Sequence, residues 1–224
     1  MARLENPTMN IFKRIFKSLN SFEKKGAFFG STETEMKQFF ADLGQVTFNN
    51  DTLIIKNYPF DNSSISTKPI ITSKDILNIC TKSAPPTIRI DNELIFISAE
   101  HKQELATFAD QNKIPLSDRP ELWDWILEPF LDTEFTDENK ENLYNLLEKY
   151  EVNRQTVDSL RRTVKEQMMK YNFDTMLWEW GMFSALDVLQ AMRPKLNSAD
   201  FKLFYKQVME IALRPDTMDK KPSH

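Results

Sequence analysis

Two short phrases hold the residues best placed to do chemistry, "LWDWILEPF" at 122–130 and "LWEWGMFSAL" at 177–186. Each sets an acid, Asp124 or Glu179, between two tryptophans, and Asp187 follows the second phrase directly. A carboxylate enclosed by aromatic rings has its pKa raised and can serve as a general acid. The same group can equally accept a hydrogen bond from Arg161, Arg162 or an indole N–H, which makes it structural. Residues two apart on a helix point about 160° away from each other, so both sides of these segments meet apolar matter. The enzymatic reading is therefore a carboxylate-dependent hydrolase or transferase near Glu179 and Asp187, set against ordinary packing.

Other chemistries lack their residues. The chain has one cysteine, Cys80, and two histidines, His101 and His224, so no zinc-type Cys/His set can be drawn and no metal site is expected. Gly26, Gly30, Gly44 and Gly181 are the only glycines. They form neither a G-x-G-x-x-G nor a P-loop, which removes the common nucleotide-binding loops and leaves no cofactor implied. A Ser/His/Asp site would have to use His101, which opens the polar helix start "EHKQE" and reads as solvated.

Charge is divided unevenly along the 224 residues. Residues 1–25 carry six cations against Glu5 and Glu23, a balance of +4, so the rest of the chain holds −8 of a net −4. Residues 117–150 contain ten acids and three cations, a balance of −7 that argues against a nucleic-acid surface. Such a face suits either solvent or a basic partner, as in immunity and inhibitor proteins. A lone cysteine and the lack of a leader-type segment point to a reducing, cytoplasmic setting. No run reaches the roughly 18 apolar residues of a membrane span.

The elements that must position these groups fall into blocks. Asn6, Pro7 and Gly26 bound a helix at 7–25. At 100° per residue, Ile11, Phe12, Ile15, Phe16, Leu19 and Phe22 share one arc of about 140°, with Lys13, Arg14, Lys17, Lys24 and Lys25 opposite. Burying six such side chains is worth about 1.5–3 kcal/mol each, so something covers this face. The cover is the protein's own core, an anionic membrane surface, or a partner's groove or second copy. The binding residues expected here are Ile11, Phe12, Lys13, Arg14, Ile15, Phe16, Lys17, Leu19 and Phe22.

A second helix begins at Thr32, with Glu35 at capping-box spacing, carries Met36, Phe39, Phe40 and Leu43 on one face, and ends at Gly44. Residues 45–98 are rich in Ile and Thr and predict five strands, at 46–49, 52–57, 69–72, 87–91 and 93–98, the last two forming a hairpin over Asp91 and Asn92. Residues 61–68 predict an exposed loop, and 100–113 a helix burying Leu105, Phe108 and Ala109. Beyond Arg119 the pattern is helical, at about 120–131, 137–150, 154–170, 174–192 and 199–213. Val157, Leu160, Val164 and Met168 form the stripe of a covering helix, whereas 173–192 is apolar all round and predicts a buried central one.

The run "KPIITSKDILNICTKSAPPTIRIDNELIFISAEHKQELATFADQNKIP" at 68–115 resembles the second half of bacterial PH-like domains, through a strand into "S-K-D-I-x-x-I", a hairpin and one closing helix. The resemblance, taken over 45–115, implies a curved antiparallel sheet capped by the helix at 100–113. PH-like folds usually have seven strands where five are legible here. Lipid-binding relatives hold a headgroup with cations of an early strand loop, but 58–67 contains none, so that site is not carried over.

The resulting expectation is an α+β chain: a basic amphipathic helix at 1–26, a PH-like domain at 27–116, a helical bundle at 117–215 and a disordered tail at 216–224. Its expected role is a non-enzymatic interaction or scaffold protein. It would be cytoplasmic or peripheral at the inner membrane face, docking a protein partner, itself or an anionic membrane, and would bind no nucleic acid.

Overall fold

The computed structural model describes residues 31–131, 136–175 and 181–215. The expected basic helix at 7–25 with all nine of its binding residues, Trp178 and Glu179, and the tail at 216–224 lie outside the described residues. The chain is mixed α+β, with two three-stranded antiparallel sheets and seven α-helices among the described residues. It divides into two compact units, one of residues 41–121 and the other of the flanking segments.

The first element, α1 (Glu33–Phe39), belongs to the flanking unit. Thr32 and Glu35 form the capping box that their spacing predicts, the Glu35 N–H donating to the Thr32 hydroxyl at 3.2 Å and the Thr32 N–H to the Glu35 carboxylate at 2.8 Å. The helix stops at Phe39, short of Gly44, and only Phe39 turns inward, meeting Tyr171 edge to face at 5.1 Å. Phe40 is 60% exposed, so the expected four-residue apolar face does not form.

Gly44 instead delivers the chain into the sheet unit. Its φ is +84°, and a Cβ there would lie 2.3 Å from the Lys56 carbonyl oxygen. Strands β1 (Gln45–Phe48), β2 (Thr52–Lys56) and β3 (Ile70–Thr72) follow as one meander, with Leu53 and Ile55 of β2 buried and Lys56 exposed. The second meander is β4 (Asn78–Cys80), β5 (Thr87–Ile90) and β6 (Glu93–Phe96). Asp91 and Asn92 make the expected hairpin turn, with Asp91 at φ +46°.

Strand β4 has no counterpart among the five expected strands. It is three residues long, too short to display an alternating pattern, and follows a one-turn 3-10 helix at Ser73–Asp75 that occupies the "S-K-D" of the resemblance. The loop at 61–68 is pinned rather than free: Ile65 is buried, and Ser64 gives its N–H and hydroxyl to the Glu93 carboxylate at 3.0 and 2.6 Å. A short 3-10 turn at Ala99–His101 leads into α2 (Lys102–Gln111), which buries Leu105, Phe108 and Ala109 as expected.

The flanking unit continues with α3 (Leu122–Leu127), which runs into a 3-10 turn at Glu128–Phe130. Four helices follow: α4 (Asp137–Glu148), α5 (Arg154–Thr175), α6 (Ala185–Met192) and α7 (Ser198–Ala212). Trp123 is fully buried and its indole N–H donates to the Val208 carbonyl at 3.1 Å. The stripe Val157, Leu160, Val164 and Met168 is buried as its spacing predicts.

The single central helix expected over 174–192 does not exist. Helix α5 runs on to Thr175, and Gly181 adopts φ +71°, a left-handed conformation that a right-handed helix cannot include. Ser184 then caps α6 through a second capping box with Asp187. The apolar run therefore splits: α6 is buried on nearly every side, while Phe173 and Met182 are 59% and 55% exposed.

The constraint at Gly44 is testable. A methyl group there meets backbone, which cannot yield as a side-chain tip would, and it also pays for a positive φ, so Gly44→Ala is expected to destabilise the sheet unit by at least about 2 kcal/mol. Amide hydrogen exchange at Leu53 and Ile55 reports this directly, and unchanged protection there would contradict it.

Candidate functional site

Helix α5 carries five cations, and their surroundings sort them. Arg154 pairs with Glu141 and lies over the Tyr144 ring at 4.3 Å. Arg161 donates to the Ile126 carbonyl at 2.8 Å and to the Trp125 carbonyl at 3.3 Å, placing a guanidinium on the end of α3, where free carbonyls and the helix dipole favour positive charge. Burial pushes the Arg161 guanidinium below its ordinary value, opposed by Tyr144, Asp158 and Glu128, and it stays charged. Lys170 pairs with Glu35 at 3.5 Å.

The two remaining cations, Arg162 and Lys165, are exposed and meet no acid among the described residues. With Met169 they lie within an arc of about 60° on the helix. Facing them is the 3-10 turn, which presents Pro129 and Phe130, and the following Leu131, all half-buried. Asn172 fixes that turn to α5 by donating to the Phe130 carbonyl at 2.8 Å. Between the two runs a groove of about 530 Å³, with an apolar floor and a cationic rim formed by Arg161, Arg162 and Lys165. Its described lining residues include no carboxylate, thiol, imidazole or hydroxyl, and the polar groups among them are the cations Arg161, Arg162 and Lys165.

The carboxylates singled out by the sequence are engaged elsewhere. Asp187 keeps some residue surface exposed, yet its carboxylate is enclosed: Oδ2 accepts the Ser184 N–H at 2.7 Å and hydroxyl at 2.6 Å, and Oδ1 accepts the Tyr171 hydroxyl at 2.8 Å. Burial raises the Asp187 pKa above the usual carboxylate value, with the hydrogen bonds from Ser184 and Tyr171 acting the other way. Asp124 accepts the Phe183 N–H at 2.9 Å; burial pushes its pKa up, that hydrogen bond opposes the push, and the neighbouring Asp187 charge adds a smaller one upward. Together they tie residues 183–184, the entry to α6, to α3 and α5.

His101 is more enclosed than a solvated histidine. Its side chain is 22% exposed, with Nδ1 2.6 Å from the Glu104 carboxylate and the ring beside Phe48. Cys80 is buried and unpaired. Among the described residues no group of His, Cys, Asp and Glu is placed to hold a metal ion, and no helix is long and apolar enough to cross a membrane.

The sequence offers Arg161 and Arg162 as hydrogen-bond donors to the tryptophan-flanked carboxylates, and that reading missed the groove. The signal available was the Glu-Pro-Phe at 128–130, since a proline just after an amphipathic helix marks a sharp stop that leaves apolar side chains uncovered. No family model, curated protein or solved structure matches the chain.

The enclosed carboxylate has a pH signature. A group whose folded pKa is raised contributes stability that is complete below its unfolded value, about pH 4, and is lost as pH rises through the folded value. Asp187→Asn keeps an acceptor for Ser184 and removes the titration. Its melting temperature is expected to fall less than that of the natural chain between about pH 4 and pH 7. Parallel melting profiles over that window would show that Asp187 does not titrate under the constraint of burial.

Proposed function

We propose that this protein is a non-enzymatic interaction protein whose helical unit docks an acidic, apolar-anchored segment of a protein partner in the groove between α5 and the 3-10 turn at Glu128–Phe130. The observation that carries this reading is the sorting of the α5 cations. Arg154, Arg161 and Lys170 have structural partners, whereas Arg162 and Lys165 rim an apolar floor and have none among the described residues. A concave floor favours a peptide over a bilayer, which is flat on this scale. The enclosure of Asp124 and Asp187 in the α6 entry supports a non-catalytic reading of the tryptophan-flanked phrases.

On this reading the sheet unit is a reduced PH-like module. Two successive antiparallel meanders followed by α2 support it, in the order that the resemblance at 45–115 implies. The flanking helices are read as a bundle around the buried stripe of α5 and the apolar α6.

A second reading has its own observation. The clean segregation of Ile11, Phe12, Ile15, Phe16, Leu19 and Phe22 from Lys13, Arg14 and Lys17 supports docking of the N-terminal stretch on an anionic membrane surface. The acidic stretch at 117–150 as a binding face for a basic partner has no such support, because Asp118, Glu141, Asp124 and others in it already have partners within the chain.

Fluorescence anisotropy with a labelled peptide alternating Glu with Leu and Phe, and with its Gln counterpart, separates these readings. The groove reading expects the acidic peptide to bind and Arg162→Glu with Lys165→Glu to weaken it about tenfold. Flotation with phosphatidylglycerol vesicles that depends on Lys13, Arg14 and Lys17, together with no peptide binding, would replace the groove by the membrane surface.

A further inference from the structure

The two small sheets have four outer edges, and the chain treats them unequally. The β4 edge is covered by the segment after α2: the Ile79 N–H donates to the Pro115 carbonyl at 3.0 Å, and the Ser117 N–H to the Ile79 carbonyl at 2.8 Å. The β6 edge is closed at Phe96, whose N–H donates to the Tyr58 hydroxyl at 3.0 Å. On β3 the Thr72 N–H is taken by Asp75 at 3.2 Å, leaving Ile70 as the outward residue.

Strand β1 is the exception. The Asn49 N–H donates to the Thr52 carbonyl at 2.9 Å, so the alternation of an antiparallel pair turns Gln45 and Thr47 toward β2 and the backbone groups of Val46 and Phe48 outward. Neither Val46 nor Phe48 has a hydrogen-bond partner across that edge among the described residues. Two devices that commonly protect an edge are also missing: from Leu43 to Asn50 there is no charged residue and no proline.

We propose that two copies of this chain join antiparallel through β1, forming a continuous sheet across a two-fold axis centred on Thr47. The edge is its own complement in this register. Val46 exchanges both backbone hydrogen bonds with Phe48 of the copy, and Phe48 with Val46, while the two Thr47 residues face each other. The acids that flank β1 in sequence fall opposite no like charge, since Asp42 lies opposite Thr52 of the copy and Asp51 opposite Leu43, while Glu104 of α2 lines the groove beside the strand and is held by His101. Val46 and Phe48 are half-buried and gain cover, and the groove of about 530 Å³ between Phe48, Asn50 and the α2 residues Gln103, Thr107 and Gln111 leaves room beside the strand for the incoming side chains. The inference is independent of the groove on the helical unit.

Thr47 gives a clean test, because its side chain is exposed in the single chain and lies on the axis in the pair. Sedimentation equilibrium of the full chain is expected to show a concentration-dependent dimer. Thr47→Lys or Thr47→Glu alone weakens it about fivefold by placing like charges opposite each other, and an equimolar mixture of the two variants associates at least as well as the natural chain. Thermal melts of each variant confirm that the fold is retained. A chain that stays monomeric up to its solubility limit would overturn the proposal, as would a dimer indifferent to both substitutions or a mixture no tighter than either variant alone. A monomer that pairs with an unrelated extended peptide would overturn it too, in favour of a foreign strand on the same edge.

Discussion

An enclosed carboxylate organises the helical unit. Asp187 sits at the third position of α6, where its Oδ2 satisfies the helix start through Ser184 and its Oδ1 reaches Tyr171 on α5. Enclosing a carboxylate is costly unless its lone pairs are filled, and here the acceptors are filled from two different elements. That makes the arrangement directional. Helix α6 can begin only where Ser184 and Tyr171 both reach Asp187, and Asp124 adds a further tie from α3 to the Phe183 N–H. The apolar faces of α6 supply burial, but burial alone would tolerate a slide or rotation that these hydrogen bonds forbid.

The same economy governs the cations. A guanidinium buried against the end of α3 replaces water at the Trp125 and Ile126 carbonyls, and stacking beside Tyr144 covers its planar face. Arg162, one residue on, faces about 100° away and reaches none of these groups. Adjacent arginines thus have different environments for a geometric reason. The groove follows from the same geometry, because the turn at Glu128–Phe130 that positions the carbonyls for Arg161 also swings Pro129 and Phe130 out beside Arg162 and Lys165.

Local signals were legible wherever one short segment decides its own structure. The capping box at Thr32, the two-residue turn at Asp91 and Asn92, and the 3.6-residue stripe of α5 all depend on neighbours within a few residues. The misreading of 174–192 had a different cause. Its apolar content points to one helix, whereas Gly181 and the Ser-x-x-Asp at 184–187 both mark a helix boundary. Strand β4 was illegible because three residues fit no period, and its strand geometry is conferred by β5 and by the segment at 115–117. The groove was illegible for a deeper reason, since it exists only where residues some thirty positions apart are brought side by side.

The setting of that groove bears on how a ligand would meet it. The Debye length is about 10 Å at ordinary ionic strength, so more distant charges are largely screened and an acidic segment feels Arg162 and Lys165 only once it is close to them. Charge therefore selects orientation near contact rather than drawing the ligand in from afar. The affinity has to come mainly from Phe130, Leu131 and Met169, whose apolar surface is already half-covered and shaped by the turn. A ligand with acids but no apolar side chain would gain only the weak, screened attraction of two exposed cations. One with only apolar groups would leave two solvated cations to be dehydrated without a counter-charge. On the proposed reading, the ligand presents both within the length of one helical turn, the span separating Lys165 from Met169.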